Sequence, residues 1–293
     1  MKTFLKVLKN PLGLTGLVLL IFFAVIALIA PTLAPPKWAH EPYRIPRDGY
    51  WAEPRPPSPQ HPFGTAEGQF DIYYGIVWGT RTAWGVSLIV VGIAIAIGIF
   101  LGTISAFYGG WLDEVIMRVT DIFYAFPFLV AAMTLTSILG RGVGNAIIAL
   151  VVFGWMGYAR LVRGEVLRIR EMDYVQAARA VGVPIWRMIP RHILPNAIWP
   201  VFVAGTMDMG SIVITFAALS FLGVGTPEGY ADWGQMISYA RNWIIGLRGN
   251  PLAYWYTVIY PGAAITLFCL AWNLLGDALR DILDPRLRGR ISV

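Results

Sequence analysis

Between Arg81 and Asp113 the chain carries no charged residue, and the run Thr82–Leu112, centred near Ile95, is apolar, glycine and hydroxyl side chains throughout. A stretch of that length exceeds the roughly 20 apolar residues that cross a ~30 Å hydrocarbon layer as a helix. In that layer, backbone N–H and C=O groups can be satisfied only within a helix or a closed barrel. Five more segments meet the same test: about Leu12–Ala30, Ile122–Leu139, Val143–Ala159, Ile198–Leu222 (interrupted by Asp208) and Tyr254–Leu275. Composition agrees, at 57% apolar and 14% charged, against roughly 25% charged in soluble domains. The expected fold class is all-α integral membrane with six transmembrane helices.

The segments divide the chain. Residues 1–34 hold an N-terminal tail and the first span. Residues 35–81, rich in Pro and Trp with mixed charge, form an ordered extramembrane segment of low regularity. Residues 82–293 hold the other five spans. Lys2, Lys6 and Lys9 followed by an apolar run resemble a signal peptide, but the run is longer than the ~7–15 residues of a cleavable h-region, so a retained span is expected. The single Cys269 lies inside a span and reads as a small core residue. His40, His61 and His192 are scattered, so no cluster has metal-ligand spacing, and no catalytic triad is suggested.

Basic residues orient the bundle. With the N-terminus inside, the inner face collects Lys2, Lys6, Lys9, Arg118, the seven arginines from Arg160 to Arg191, and Arg280, Arg286, Arg288 and Arg290. The outer face then holds eight basic residues, most of them offset by acidic ones. The reverse orientation would expose the Arg160–Arg191 cluster outside, against the positive-inside bias. The sequence pI near 9.5 thus has a topological explanation rather than a nucleic-acid one. Arg160 and Arg163, at a span end, are expected to meet anionic lipid headgroups.

Within the cytoplasmic loop 164–196, Tyr174–Asn196 is a polar island with a helical half on each side of Gly182. Tyr174, Ala177, Ala178 and Val181 fall at i, i+3, i+4, i+7, a narrow stripe of mostly small side chains. Gly182 permits a turn, and Pro184 suits the first turn of a second helix. A loop that had only to be basic would need none of this spacing. Small residues on a protruding helix allow another protein to approach its backbone, as a docking element requires.

Gln176-Ala177-Ala178, three residues, Gly182 and the ending Ile193-Leu194-Pro195 resemble the Glu-Ala-Ala loop of ABC importer permeases. Gln176 in place of the Glu and His192 in place of a common Ile are ordinary in the dipeptide/oligopeptide/nickel branch. His61-Pro62-Phe63-Gly64-Thr65, Gly109–Glu114 with Asp121 and Phe126-Pro127, Leu219–Gly225, Asp232–Met236, Asn273–Asp277 and Asp284–Arg288 are similar to other blocks of that branch. One block departs: Ala66, Gln69 and Phe70 stand where the family has Asp, Gly and Arg. The resemblance implies the type I permease fold with both termini cytoplasmic, in a prokaryotic inner membrane. It also implies a second, homologous permease, two ATPases and an extracytoplasmic solute-binding protein as partners. Tyr174, Gln176, Ala177, Ala178, Gly182, Trp186 and Arg187 would couple to the ATPase.

The implied cargo is peptides, with oligosaccharides or a nickel chelate as alternatives. No Lys follows a Gly, so no phosphate loop is present. No cofactor is expected on this chain, and ATP and Mg would sit on the partner ATPases. The absence also leaves open another class, an ion-gradient-driven secondary transporter, although Asp208 alone is clearly ionisable in mid-span.

Asp208 has two readings: a pathway residue, with Ser211 and Thr215 beside it, or a structural partner for a polar group on this or the paired subunit. Gly98 and Gly102 form a GxxxG helix-packing face. Trp233, Met236, Ile237, Ala240, Trp243 and Ile244 share one face of a helix expected over Trp233–Ile245, anchored in the outer interface. The resemblance places binding-protein docking there, at Trp233, Met236 and Trp243. Glu165, Arg168 and Glu171 are expected to form helix-surface ion pairs.

Overall fold

A computed structural model describes Leu8, residues 10–244, Asn250 and residues 252–283. Lys2, Lys6, Lys9, Ile245, the 284–288 block and Arg290 lie outside the described residues.

The described chain is helical, with isolated β-bridges at Arg44–Tyr230, Arg47–Phe70 and Thr65–Asp71. The helices are α1 (Pro11–Leu33), α2 (Ile72–Tyr108), α3 (Gly110–Tyr124), α4 (Phe128–Leu139), α5 (Val143–Gly154), α6 (Met156–Arg170), α7 (Asp173–Ala180), α8 (Ile185–Met188), α9 (Leu194–Phe221), α10 (Trp233–Ala240) and α11 (Tyr256–Leu283). Five stretches are long and apolar enough to cross a membrane, or six if the bent pair α3–α4 is one span. The expected spans are therefore present, with one difference. The third is not a straight helix over Ile122–Leu139 but two helices meeting at 84°. Pro127 cannot continue the α3 hydrogen-bond ladder, so the chain turns across Ala125-Phe126-Pro127 and starts again.

Caps set the long helices. Asn10 Oδ1 accepts from the Leu12 and Gly13 N–H groups, with Pro11 at the first helical position. Asp71 accepts from Tyr74 N at 2.8 Å and starts α2 ten residues before the uncharged run begins. At 37 residues α2 is ~55 Å long, well beyond the hydrocarbon thickness. Its first turns therefore belong to a cap layer built with residues 35–71 and 222–240.

That cap is ordered, as its composition suggested. Tyr43 stacks on Tyr230 (5.3 Å) and Phe70 on Tyr239 (4.8 Å). Trp78 Nε1 donates to Ala34 O, and Thr82 Oγ1 to Ala231 O. The departing block is the cap's interior. Ala66, Gln69 and Phe70 are all buried. Gln69 adopts φ +62° where the family has Gly, and its amide holds this turn by donating to Trp51 O and Glu53 O.

Helix α10 lies inside this layer rather than on its surface. Trp233 packs on Phe23 and Phe268 and donates through Nε1 to Ile76 O at 3.1 Å. The helix ends at Ala240, short of the expected Ile245. Asp232 caps it, accepting from Gly234 N and Gln235 N, with the Ser220 and Thr226 hydroxyls beside it. Burial pushes the Asp232 carboxyl up to about 6, against those hydrogen bonds.

Two long helices come into backbone contact at the GxxxG face. A Cβ on Gly98 would fall 2.3 Å from Tyr158 Cβ, and one on Gly102 would fall 2.4 Å from Ala159 O. Glycine lets α2 and α6 touch backbone to backbone, which is the packing role expected of it.

Two outcomes test this packing. Gly102→Ala must push α6 away, so it should lower the thermal midpoint of the detergent-solubilised protein, at a cost of about 1–3 kcal/mol. Gly92→Ala, on the same helix with nothing within 4 Å of its Cβ, should leave the midpoint unchanged or raised. The second concerns Asp232. Its folded pKa of about 6 lies above the ordinary ~3.9 of an unfolded Asp. The charged form therefore destabilises the fold as pH rises from 4 through 6, by on the order of 3 kcal/mol. Asp232→Asn retains a capping oxygen, so it should raise the midpoint at pH 7, with the gain over wild type vanishing towards pH 4.

Candidate functional site

The segment Tyr174–Asn196 folds as an arm on the side opposite the cap. Helix α7 ends in a Schellman motif: Val183 N donates to Ala178 O and Gly182 N to Arg179 O, both at 3.0 Å. This closure needs a left-handed residue, and Gly182 supplies it at φ +78°. Pro184 then precedes α8, and a π-helical turn at Ile189–Ile193 leads into α9. Asn196 Nδ2 donates to His192 O and to the Tyr174 hydroxyl, joining the second half of the arm to the first. Gln176 Nε2 donates to Arg170 O at 3.0 Å, fixing α7 to the end of α6.

The arm has two faces. Val175, Met188 and Ile193 are buried against the bundle, and so is Ala178 at 9% exposure. Outward stand Tyr174, Ala177, Val181 (80% exposed), Ile185 and Trp186 (68%), with the Arg187 guanidinium 4.7 Å above the Trp186 ring. The stripe expected from periodicity therefore splits. Tyr174, Ala177 and Val181 face out, and Ala178 packs in because α7 lies flat on the bundle. An apolar outer face on a polar segment is where a partner surface fits.

Arg160 and Arg163 each have a carboxylate partner within the chain. Arg160 pairs with Asp121, and Arg163 with Asp113. The sequence held a signal for this that spacing arguments miss: carboxylates at 113 and 121 in a helix beside a span end. Of the expected surface pairs, Arg168 meets Glu165, while Glu171 meets Arg170 instead.

In mid-bundle, the Tyr158 hydroxyl donates to Asp208 Oδ2 at 2.6 Å. Asp208 thus has a partner within this chain, as one of its two readings required. Ser211 is exposed, and Thr215 Oγ1 is satisfied by Ser211 O at 2.9 Å. The three residues at i, i+3, i+7 make one polar stripe on α9.

Of the expected binding-protein contacts, Trp233 and Met236 are corrected. At 2% and 1% exposure both are core side chains and present no surface. Their spacing identified a helix with one apolar face, but that face packs inward, between α1, α2 and α11. Trp243 is half-buried at the cap edge, its Nε1 donating to Glu67 Oε2 at 2.8 Å.

Among the described residues no group of His, Cys, Asp and Glu could hold a metal ion.

The family model described as binding-protein-dependent transport system inner membrane component matches residues 77–289. That described as the N-terminal TM domain of oligopeptide transport permease C matches residues 2–47. A dipeptide transport system permease protein of Alkalihalophilus pseudofirmus is 37% identical, over 98% of this chain and 90% of its own. A probable D,D-dipeptide transport system permease protein of Escherichia coli is 36% identical, over 97% and 90%. A glutathione transport system permease protein of Pectobacterium atrosepticum is 37% identical, over 79% and 75%. Among solved structures, a chain of the MetNI methionine ABC transporter in an inward-facing conformation shares the fold, with a TM-score of 0.54 at 18% identity, over 72% of this chain and 97% of that one. With the spans, the arm and matches over nearly its whole length, the chain belongs to the family of binding-protein-dependent transport system inner membrane components.

Proposed function

We propose that the chain is one of two homologous permease subunits of a peptide importer, with its arm in the cytoplasm and its cap outside. Family membership makes it a transport subunit, with ATP hydrolysis on partner chains. The orientation follows from the basic residues between Arg160 and Arg191, which the positive-inside bias assigns to the cytoplasm. Peptides are supported by the relatives, whose names specify dipeptides, D,D-dipeptides and glutathione. The two partner ATPases would carry ATP and Mg. The binding protein would meet the cap, with Trp243 the one tryptophan of the expected set at its edge.

The observation that carries the reading is the arm's division into a buried inner face and an apolar outer one. Ala177 and Val181 leave room for a groove on the ATPase to close over α7, and Tyr174, Ile185 and Trp186 supply the contact area. Gln176, Gly182 and the Asn196–Tyr174 link make the arm stiff, so that closure of the ATPase pair moves it as a lever. Arg187, held against Trp186, sits at the rim of that surface. Asp208 and Ser211 would line the route between the two permeases, with Thr215 behind them and Tyr158 fixing the Asp208 carboxylate.

The whole complex, reconstituted in proteoliposomes with a labelled dipeptide, tests this. Binding protein should stimulate ATP hydrolysis. Ala177→Asp, which buries an unpaired carboxylate in the docking groove, should cut stimulated hydrolysis at least about tenfold, equivalent to ~1.4 kcal/mol or more of lost docking, with the permease pair still assembled. Ala178→Asp, on the buried face, should instead lower permease stability itself. Uptake that ignores ATP and collapses with an ionophore would refute the proposal.

A further inference from the structure

Helix α6 is held on two faces. One lies against Gly98 and Gly102 of α2. The other faces α3, where Arg163 donates through Nε and Nη2 to both oxygens of Asp113, each at 2.6 Å. Asp113 also accepts from Ser105 Oγ near the end of α2. Arg160 donates to Asp121 and stands 4.1 Å above the Tyr124 ring. Lower on α6, Arg170 Nη1 donates to Ala106 O at 2.7 Å. A bidentate guanidinium–carboxylate pair fixes orientation as well as distance, and this one is largely shielded, its side chains 33% and 19% exposed.

The two helices so joined have different continuations. After α6 come only Glu171 and Met172 before α7, the first helix of the arm, begins. After α3 comes the 84° bend into α4. Elsewhere on α3, Val115, Val119 and Ile122 are exposed, while Thr120 is buried and Phe123, near its end, packs on Phe153 and Trp155. A displacement of the arm that tilts α6 can therefore reach the first turns of α3 through the Asp113–Arg163 pair and its end through Asp121–Arg160, beside the Phe123–Trp155 contact.

We infer that Asp113–Arg163, backed by Asp121–Arg160, is the linkage that carries arm motion into α4, with α3 riding on α6 as one body. The four are positioning residues for the transport step, and the inference rests on the arm being the element the ATPase moves.

The test uses the whole reconstituted complex with nitroxides at Val130 of α4 and Phe202 of α9, both exposed. Trapping with ATP and vanadate should shift the distance between them. In Asp113→Asn and in Arg163→Gln, ATP hydrolysis should persist while the shift falls to less than half, and the exchange Asp113→Arg with Arg163→Asp should restore most of it. Should those variants fail to assemble, Asp121→Asn, at the exposed end of the linkage, should show the same direction of effect. Asp113→Cys with Arg163→Cys, joined by a short bifunctional thiol reagent, should keep the full shift, because the pair moves as one body. Shifts equal to wild type in the single variants, an exchange no better than either single, or a shift lost on joining would each overturn the linkage. So would a wild type that hydrolyses ATP with no change at α4. A wild type in which binding protein stimulates no hydrolysis would fail the arm reading itself, and the linkage with it.

Discussion

Everything on the arm side of this chain depends on the close contact of α2 with α6. In hydrocarbon, apolar side chains gain nothing by leaving lipid for one another, so helices associate by fitting surfaces and sharing polar contacts. Gly98 and Gly102 provide the fit, because their bare Cα atoms admit the α6 backbone at Tyr158 and Ala159. That position sets the azimuth of α6. Tyr158 then points to Asp208 of α9, and Arg163 points to Asp113 of α3. One steric complementarity thereby places both an intramembrane carboxylate and a row of arginines. The arm inherits its position from the end of the same helix.

The cap works by a different physics. Outside the hydrocarbon, residues 35–71 have almost no regular structure, so their backbone groups depend on side chains and turns. Gln69 shows how. A residue in the left-handed region without glycine's freedom is held there by its own amide, which satisfies two carbonyls of the neighbouring loop. Tyr43 then stacks on Tyr230 in the segment before α10, and Phe70 on Tyr239 within α10, joining the first loop to both. Where the resemblance implies Asp, Gly and Arg, this chain places Ala66, Gln69 and Phe70 in the cap's buried interior. The cap's shape is thus intrinsic to this chain.

The number of spans and the arm's glycine turn were legible because each follows from local rules. Length against hydrocarbon thickness finds spans, and a left-handed C-cap finds Gly182. Facing was not legible in the same way. Periodicity gathers Trp233, Met236 and Trp243 onto one stripe but does not say what the stripe meets. In a chain with other helices to bury, the first two turned inward. The same ambiguity divided Ala178 from Ala177. Arg160 and Arg163 illustrate a further limit, since the positive-inside bias explains why arginine is on that side without saying whether a carboxylate stands nearby. Their partners lie 39 and 50 residues away in sequence, and only the α2–α3 turn and the α3–α4 bend bring them close. The bend itself was written in Phe126-Pro127, yet a window of hydropathy averages over it.

A permease has to combine rigidity with movement, and the contacts are partitioned accordingly. Where α2 meets α6 there is no give, because backbone touches backbone. Where α3 meets α6 the join is made mainly of charged side chains, which hold direction strongly, with Phe123 on Trp155 the aromatic contact at the end of α3. Where α3 meets α4 there is only a three-residue turn. The path from α6 through α3 to α4 therefore runs from backbone contact to side-chain pairing to a bare turn. A motion entering at the arm would pass unattenuated through α6 and be resolved at the bend. The last helix of that series, twelve residues long, is too short to span the bilayer alone and packs along α5 with Ala131, Ala132 and Thr136 buried. The turn at Ala125-Phe126-Pro127 is therefore where α3 and α4 can change their mutual angle without breaking that packing.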